Sequence, residues 1–110
     1  MQSFTRLLLA GTAAAAVLVP ATVSAQEVSN DVVKVGILND QSGVYADFGG
    51  KWSVEAAKMA IEDFGGTVLG KPIEMVSADH QNKADIASNI AREWYDVDNV
   101  DAIMELTTSS

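Results

Sequence analysis

Residues 32–38, VVKVGIL, form an apolar and β-branched run of strand length. Such a run is typical of a strand that is buried on both faces, as strands of parallel sheets are. Residues 39–50 contain Asp, Ser and three glycines, so they are predicted to form a loop. The chain is therefore expected to build a sheet around this first strand.

Beyond the loop, segments of helical and strand periodicity alternate. Residues 53–64 place apolar side chains at helical spacing, and two glycines follow them. Residues 73–78 alternate between apolar and polar positions, which predicts a second and less fully buried strand. Residues 86–94 again show helical spacing, and residues 100–106 read as a third strand. Alternating strands and helices predict right-handed β-α-β units and a parallel sheet.

This β-α-β-α-β pattern is only half of a doubly wound sheet. Residues 107–110, TTSS, stand where a third helix would be capped, and Ser or Thr at a helix N-cap is useful only when a helix follows. The outer strands would also lack covering helices. The chain is therefore expected to be a fragment of a longer reading frame.

The first 25 residues have the pattern of a secretory signal. Arg6 is the one charge before Glu27, and an apolar run of about 13 residues follows it, shorter than the roughly 20 that span a bilayer. Pro20 ends this run, and Val23 and Ala25 are small residues suited to signal peptidase. Cleavage is expected after Ala25, followed by a polar lead-in at residues 26–31. The alternative is a buried N-terminal helix.

Charge and cysteine content exclude several classes of function. The formal net charge of −8 repels phosphate backbones and anionic lipids, so neither nucleic acid nor a membrane surface is an expected partner. The chain has no cysteine, which excludes disulfides, thiolate zinc sites, a catalytic thiol and a lipid-modified N-terminal cysteine. Once exported, the protein is expected to be free in solution.

Ligands of open parallel sheets bind beyond the carboxyl ends of the strands. The three predicted strand ends, residues 39–43, 79–82 and 107–110, are rich in neutral hydrogen-bonding groups and lack arginine. Hydroxyls, backbone amides and the positive end of the first helix suit a small carboxylate. Phe48 lies further along the first loop, just before Gly49 and Gly50, where it would face a ligand. The alternative is that all of these are ordinary loop and capping residues.

Motifs for cofactors and metals are incomplete. A P-loop would need Gly at Tyr45 and Ser or Thr at Trp52, and no dinucleotide fingerprint follows the first strand. The aspartates of residues 96–101 lack the Gly and Glu of a calcium loop, which favours a solvated turn. His80 could be a metal ligand or a general base, but no second His or Cys completes a site, which favours a loop residue. No cofactor and no metal is expected.

From residue 34 onward, the chain resembles the extracytoplasmic solute-binding proteins of branched-chain amino-acid-type ABC transporters, the leucine-binding-protein family. The resemblance is carried by several short sequence segments, none of which is decisive by itself. They occur in the same order and at the same spacing as in the family, and they follow a predicted secretory signal. The matching pieces are residues 35–43, 48–49, 56–57, 60–63, 65–66 and 69–74, then Asp79 and residues 103–110.

The resemblance implies a fold, a site and partners. The fold would be α/β, the parallel β-α-β-α-β half of the N-terminal lobe of a type I periplasmic binding protein, with residues 32–110 as a partial lobe. Two such lobes close on a small solute because the ligand touches both only in the closed state. Thr108 would bind the carboxylate of an amino acid or small acid with Ser109 beside it, and Phe48 would pack on its side chain. Ser42 and Thr107 would line the same crevice.

The resemblance also implies a periplasmic location, an ABC permease as membrane partner and a monomeric full-length protein. It implies no enzymatic activity. Two alternatives stay open, a ligand-sensing receptor ectodomain and an exported flavodoxin-like enzyme. The identity of the solute is not predicted, because most groups that select it would come from the second lobe.

Overall fold

Strands and helices alternate along residues 30–107, the part of the chain that a computed structural model describes. The expected signal at residues 1–25 and most of the lead-in lie outside this range. No helix of residues 30–107 has the length and apolar character needed to cross a membrane. The elements are β1 (Val33–Asn39), α1 (Gly50–Phe64), β2 (Thr67–Val68), β3 (Lys71–Asp79), α2 (Ala84–Asp96) and β4 (Ala102–Met104).

The strands form one four-stranded sheet in the order β2-β3-β1-β4. Strand β1 is parallel to both of its neighbours, with Asn39 level with Asp79 on β3 and Ile37 level with Met104 on β4. The chain thus moves to one side of β1 through α1 and to the other side through α2. This reversal creates a switch point between β1 and β4, and the expected mostly parallel α/β fold is confirmed.

One face of the sheet is covered by α2. Leu38 and Trp94 are buried there with Val100, and the ring of Trp94 lies directly against Gly36. Glycine is required at this position because a Cβ on Gly36 would lie 2.4 Å from Trp94 Cζ3. The cluster is completed by Val76, Ala78, Ala87, Ile90, Ala91 and Ile103.

The opposite face is covered only in part. Side chains alternate along β1, so Val33, Val35 and Ile37 point away from α2 and toward α1. An open groove of about 330 Å³ remains there. Val33 and Val35 are therefore half-buried, whereas the sequence predicted burial on both faces. The groove is lined by Val33, Val35, Ile37, Ala57, Ala60, Ile61, Phe64, Ile73 and Met104.

A short hairpin between α1 and β3 was not predicted. Strand β2 pairs antiparallel with the start of β3, Val68 opposite Lys71, through a turn in which Leu69 and Gly70 have positive φ. Two residues are too few to show an alternating pattern. The predicted end of α1 is confirmed, since Gly65 has φ of 104° and donates its N–H to carbonyls of the last helical turn.

Strand β4 is shorter than the predicted 100–106. Val100 is buried, but its N–H bonds to the carbonyl of Trp94 at the end of α2 and not to a strand. At the other end, Glu105 has φ of +64°, which turns the chain out of the sheet. The turn at Glu105 places charged and polar residues at the carboxyl end of β4, next to the switch point.

Candidate functional site

The carboxyl ends of β1, β3 and β4 lie at one edge of the sheet. Three segments leave the sheet there: the first loop (residues 40–49), the second loop (residues 80–83) and the described part of the third loop (residues 105–107). The first and third loops flank the switch point, so the crevice between them is the candidate site.

Asp40 shapes the first loop from within. Its side chain is only 1% exposed, and its carboxylate accepts hydrogen bonds from the backbone N–H groups of Ser42, Gly43 and Tyr45, the shortest being 2.6 Å. A carboxylate that accepts several backbone hydrogen bonds is stable when buried. Asp40 is therefore used in folding the loop and is not available to a ligand.

Asp79, at the end of β3, joins the first and second loops. Its Oδ1 accepts the backbone N–H groups of Gln41 at 2.9 Å and Gln81 at 2.8 Å, and its carboxylate also accepts the hydroxyl of Ser42. Partial burial raises the pKa of this carboxyl. The hydrogen bonds and the neighbouring His80 together lower it by more than burial raises it. The net pKa of Asp79 lies below its ordinary value.

His80 is a structural residue of the second loop. It is 3% exposed, and its Nδ1 accepts the backbone N–H of Asn82 at 2.9 Å. The lone pair of Nδ1 is therefore used within the loop. The backbone N–H of His80 also bonds to the carbonyl of Asn39, which ties β3 to β1. The role of a loop residue fits this geometry better than that of a ligand or base.

Aromatic side chains of the first loop face solvent beside the crevice. Phe48 is 86% exposed, and its ring lies 6.2 Å from that of Tyr45, centroid to centroid. The backbone N–H of Phe48 bonds to the carbonyl of Tyr45, which holds the two residues in one turn. Phe48 is not part of a core, so its apolar surface is available for contact with another molecule.

The start of α1 meets the third loop across the crevice. The hydroxyl of Ser53 donates to Oε2 of Glu105 at 2.9 Å, and Nδ2 of Asn39 donates to the carbonyl of Gly50 at 2.8 Å. These side chains converge on Gly49, where a Cβ would lie 3.0 Å from Ser53 Oγ and 3.7 Å from Glu105 Oε2. The absence of a side chain at Gly49 lets the two loops approach.

Asn39 contributes one unpaired oxygen to this region. The residue is fully buried, and among residues 30–107 its Oδ1 has no hydrogen-bond partner, whereas Nδ2 is bonded. Leaving a buried polar atom unpaired costs about 1–3 kcal/mol. The unpaired Oδ1 therefore carries a desolvation cost at the edge of the candidate site, beside the hydrogen bond that Nδ2 makes.

The predicted ligand residues divide between described and undescribed parts of the chain. Ser42 and Phe48 lie on the first loop and Thr107 on the third, all exposed, whereas Thr108 and Ser109 lie outside the described residues. The bond between Ser53 and Glu105 connects the segments that carry Phe48 and Thr107. The region formed by residues 30–107 holds no group of three side chains suited to a metal.

Sequence reasoning did not single out Asn39, Asp40 and Glu105. For Asp40, the signal was available, since Asp followed closely by Ser and Gly is typical of a turn in which the carboxylate binds its own backbone. Glu105 carried a weaker signal, a charge immediately after an apolar strand. Nothing in the chain near Glu105 indicates Ser53, because the pair is 52 residues apart.

Comparison with known proteins identifies the family. The sequence profile of the periplasmic binding protein family matches residues 32–110. The chain belongs to the periplasmic binding protein family. The matched residues contain every strand and both helices. Membership of this family implies periplasmic localisation. A comparison with curated proteins finds no significant match.

Solved structures of periplasmic binding proteins share the fold. The branched-chain amino acid ABC transporter ligand-binding protein of Burkholderia xenovorans is 58% identical over 66% of this chain and 19% of its own, with a TM-score of 0.63. A Rhodopseudomonas palustris ABC transporter solute-binding protein, solved with 3,4-dihydroxybenzoic acid, is 34% identical over 67% of this chain and 20% of its own, with a TM-score of 0.61.

A third structure comes from a branched-chain amino acid transporter. The substrate-binding protein LivJ of Streptococcus pneumoniae, in complex with isoleucine, is 25% identical over 71% of this chain and 23% of its own, with a TM-score of 0.63. The chain therefore spans about a fifth of the length of the solved structures it matches. All three neighbours are ligand-, solute- or substrate-binding proteins of transporters.

Proposed function

We propose that residues 32–110 form part of the N-terminal lobe of an extracytoplasmic solute-binding component of an ABC importer. The observation that carries the proposal is the crevice between β1 and β4, with Phe48 on one wall and Thr107 on the other, in a chain of this family. In the complete protein, a second lobe closes over this crevice and presents the solute to a membrane permease.

The solute proposed is an amino acid or a small carboxylic acid. Two neighbours were solved with isoleucine and with 3,4-dihydroxybenzoic acid, and each of these compounds carries a carboxylate on an apolar body. Phe48 packs on the apolar body, while Thr108 binds the carboxylate with Ser109 beside it, and Thr107 lines the crevice. Ser42 lines the wall and is held in place by Asp79. No cofactor or metal takes part.

The proposed route to this site is export. Residues 1–25 act as the secretory signal, with cleavage after Ala25, and residues 26–31 connect the mature N-terminus to β1. Residues 26–110 contain no cysteine to which a lipid could be attached. The complete protein is proposed to work in the periplasm as a monomer. Its protein partner is the permease of the same transporter.

A thermal-shift experiment on the complete binding protein that contains residues 32–110 tests the function. A solute that binds only the folded state raises the melting temperature, by an amount that corresponds to about 2.7 kcal/mol at 100 times Kd. We expect a rise with at least one branched-chain or aromatic acid and none with its amide, which lacks the carboxylate. If no amino acid or small carboxylate raises the melting temperature, the proposal is wrong.

A further inference from the structure

We infer that Glu105 is a positioning residue with two effects: its hydrogen bond with Ser53 fixes the two walls of the crevice, and its carboxylate brings, from the third loop, the negative charge that the first turn of α1 lacks. This inference rests on the proposed function, because the walls matter only if a solute binds between them. Its basis is the bond from the Ser53 hydroxyl to Glu105 Oε2.

Helix α1 has no cap of its own. Its N-cap residue is Gly49, which makes no side-chain hydrogen bond, and its first turn contains no acidic residue. The first N–H groups of a helix lack intrahelical partners and carry partial positive charge, so a nearby carboxylate is stabilising. Glu105 brings a carboxylate to Ser53 in that first part of the helix.

The backbone of Glu105 supports the same interpretation. Its φ of +64° lies in the left-handed region, which a non-glycine residue adopts at an energetic cost. The turn is closed by the N–H of Thr107, which bonds to the carbonyl of Glu105 at 2.7 Å. Contact of the Glu105 side chain with α1 therefore also determines where Thr107 lies.

A consequence for ligand binding follows from charge. A carboxylate already lies at the N-terminus of α1, so a second carboxylate placed there would be repelled. The acid group of the solute is then kept away from the N-terminus of α1, which leaves the third loop as its anchor. The sequence alone indicated both as possible anchors.

The affinity of the complete binding protein for its solute tests whether the Ser53–Glu105 hydrogen bond fixes the walls of the crevice. Glu105→Ala and Ser53→Ala should each weaken binding roughly five- to tenfold, and the double variant should be no worse than either one, because the two residues form one bond. Glu105→Gln keeps an acceptor for Ser53 and should restore most of the affinity. Glu62→Ala, an exposed glutamate on the same helix, is the matched control and should bind like the wild type.

Binding of sulfate tests whether the Glu105 carboxylate repels a second anion from the N-terminus of α1. In the wild type, sulfate at constant ionic strength should leave the backbone amide resonances of Gly50 and Lys51 unmoved. In Glu105→Gln, the same titration should shift them, because the repelling charge is gone. This measurement does not need a bound solute, and it uses a variant that keeps the hydrogen bond if Glu105→Ala fails to fold.

The outcomes separate this inference from the proposed function. If the wild type binds no solute, the proposed function is wrong, and the sulfate titration alone decides the role of Glu105. Additive effects of Ser53→Ala and Glu105→Ala, Glu105→Gln binding no better than Glu105→Ala, or equal sulfate shifts in wild type and Glu105→Gln would each overturn the inference.

Discussion

The indole of Trp94 occupies the space that a side chain on Gly36 would need, with only 2.4 Å between a Cβ at Gly36 and Trp94 Cζ3. The contact joins the central strand to α2. We predict that Gly36→Ala lowers the free energy of unfolding by about 1–3 kcal/mol, the usual cost of overpacking a core. Urea denaturation of the complete binding protein measures it.

A compensating change tests the cause. Replacing Trp94 by Leu in the Gly36→Ala background removes the ring that clashes, so the loss in the double variant should be smaller than the sum of the two single losses. Strictly additive losses would show that the clash with Trp94 is not the reason.

Asp40→Asn should destabilise the first loop. An amide can accept at only one of its two positions, so at least one of the backbone N–H groups that now bond to the carboxylate loses its partner. The expected loss is about 1–3 kcal/mol, with faster hydrogen exchange at Gly43 and Tyr45. Asp47→Asn, an exposed aspartate of the same loop, is the control, and an equal effect there would contradict the prediction.

The lowered pKa of Asp79 predicts a dependence of stability on acid. A carboxyl whose pKa is lower when folded stabilises the protein fully above its unfolded pKa, roughly 4, and this contribution is lost as pH falls through the folded pKa. Asp79→Asn should therefore cost stability at pH 6 and progressively less below about pH 4. Unfolding curves across this range measure the difference, and a cost that is constant with pH would contradict it.

Phe48→Ala should weaken solute binding without affecting stability. An apolar ring that becomes buried against a ligand contributes about 1.5–3 kcal/mol, so the Kd should rise by about tenfold or more. The ring is 86% exposed in the free site, so the melting temperature should stay unchanged. Leu69→Ala, 70% exposed in the turn between β2 and β3, is the control at the opposite edge of the sheet. Unchanged affinity in Phe48→Ala would exclude its contact with the solute.

The groove beside α1 predicts the behaviour of residues 26–110 expressed alone. An exposed apolar surface of this kind promotes association, so this fragment should oligomerise and bind hydrophobic dyes. Ile61→Glu places a charge in the groove and should reduce both effects, whereas Thr67→Glu on exposed β2 should not. If the fragment is monomeric and unfolds cooperatively, the exposed groove does not cause association.

The regular elements were predictable because their patterns are local. The run at 32–38 and the helical spacing that ends at Phe64 and Trp94 each report burial within a short stretch of chain. The predicted resemblance to solute-binding proteins is confirmed by the family match and the solved neighbours. Strand β2 escaped prediction because two residues contain no period.

The geometry of the crevice was not predictable for a different reason. The Ser53–Glu105 bond depends on how β4 is placed beside β1, which no local pattern encodes. The unpaired oxygen of Asn39 likewise results from tertiary packing, since the sequence shows only an Asn at a strand end. Thr108 and Ser109 remain predictions as ligand residues.

Strand β1 lies between β3 and β4, although it precedes both in the chain. In the order of synthesis, β1, α1 and β3 precede β4, so the second edge of β1 has no partner until the chain as far as Met104 is present. The crevice is therefore the last part of this segment to assemble. A chaperone that binds this unpaired edge before β4 is present would shield the two loops that form the crevice at the same time.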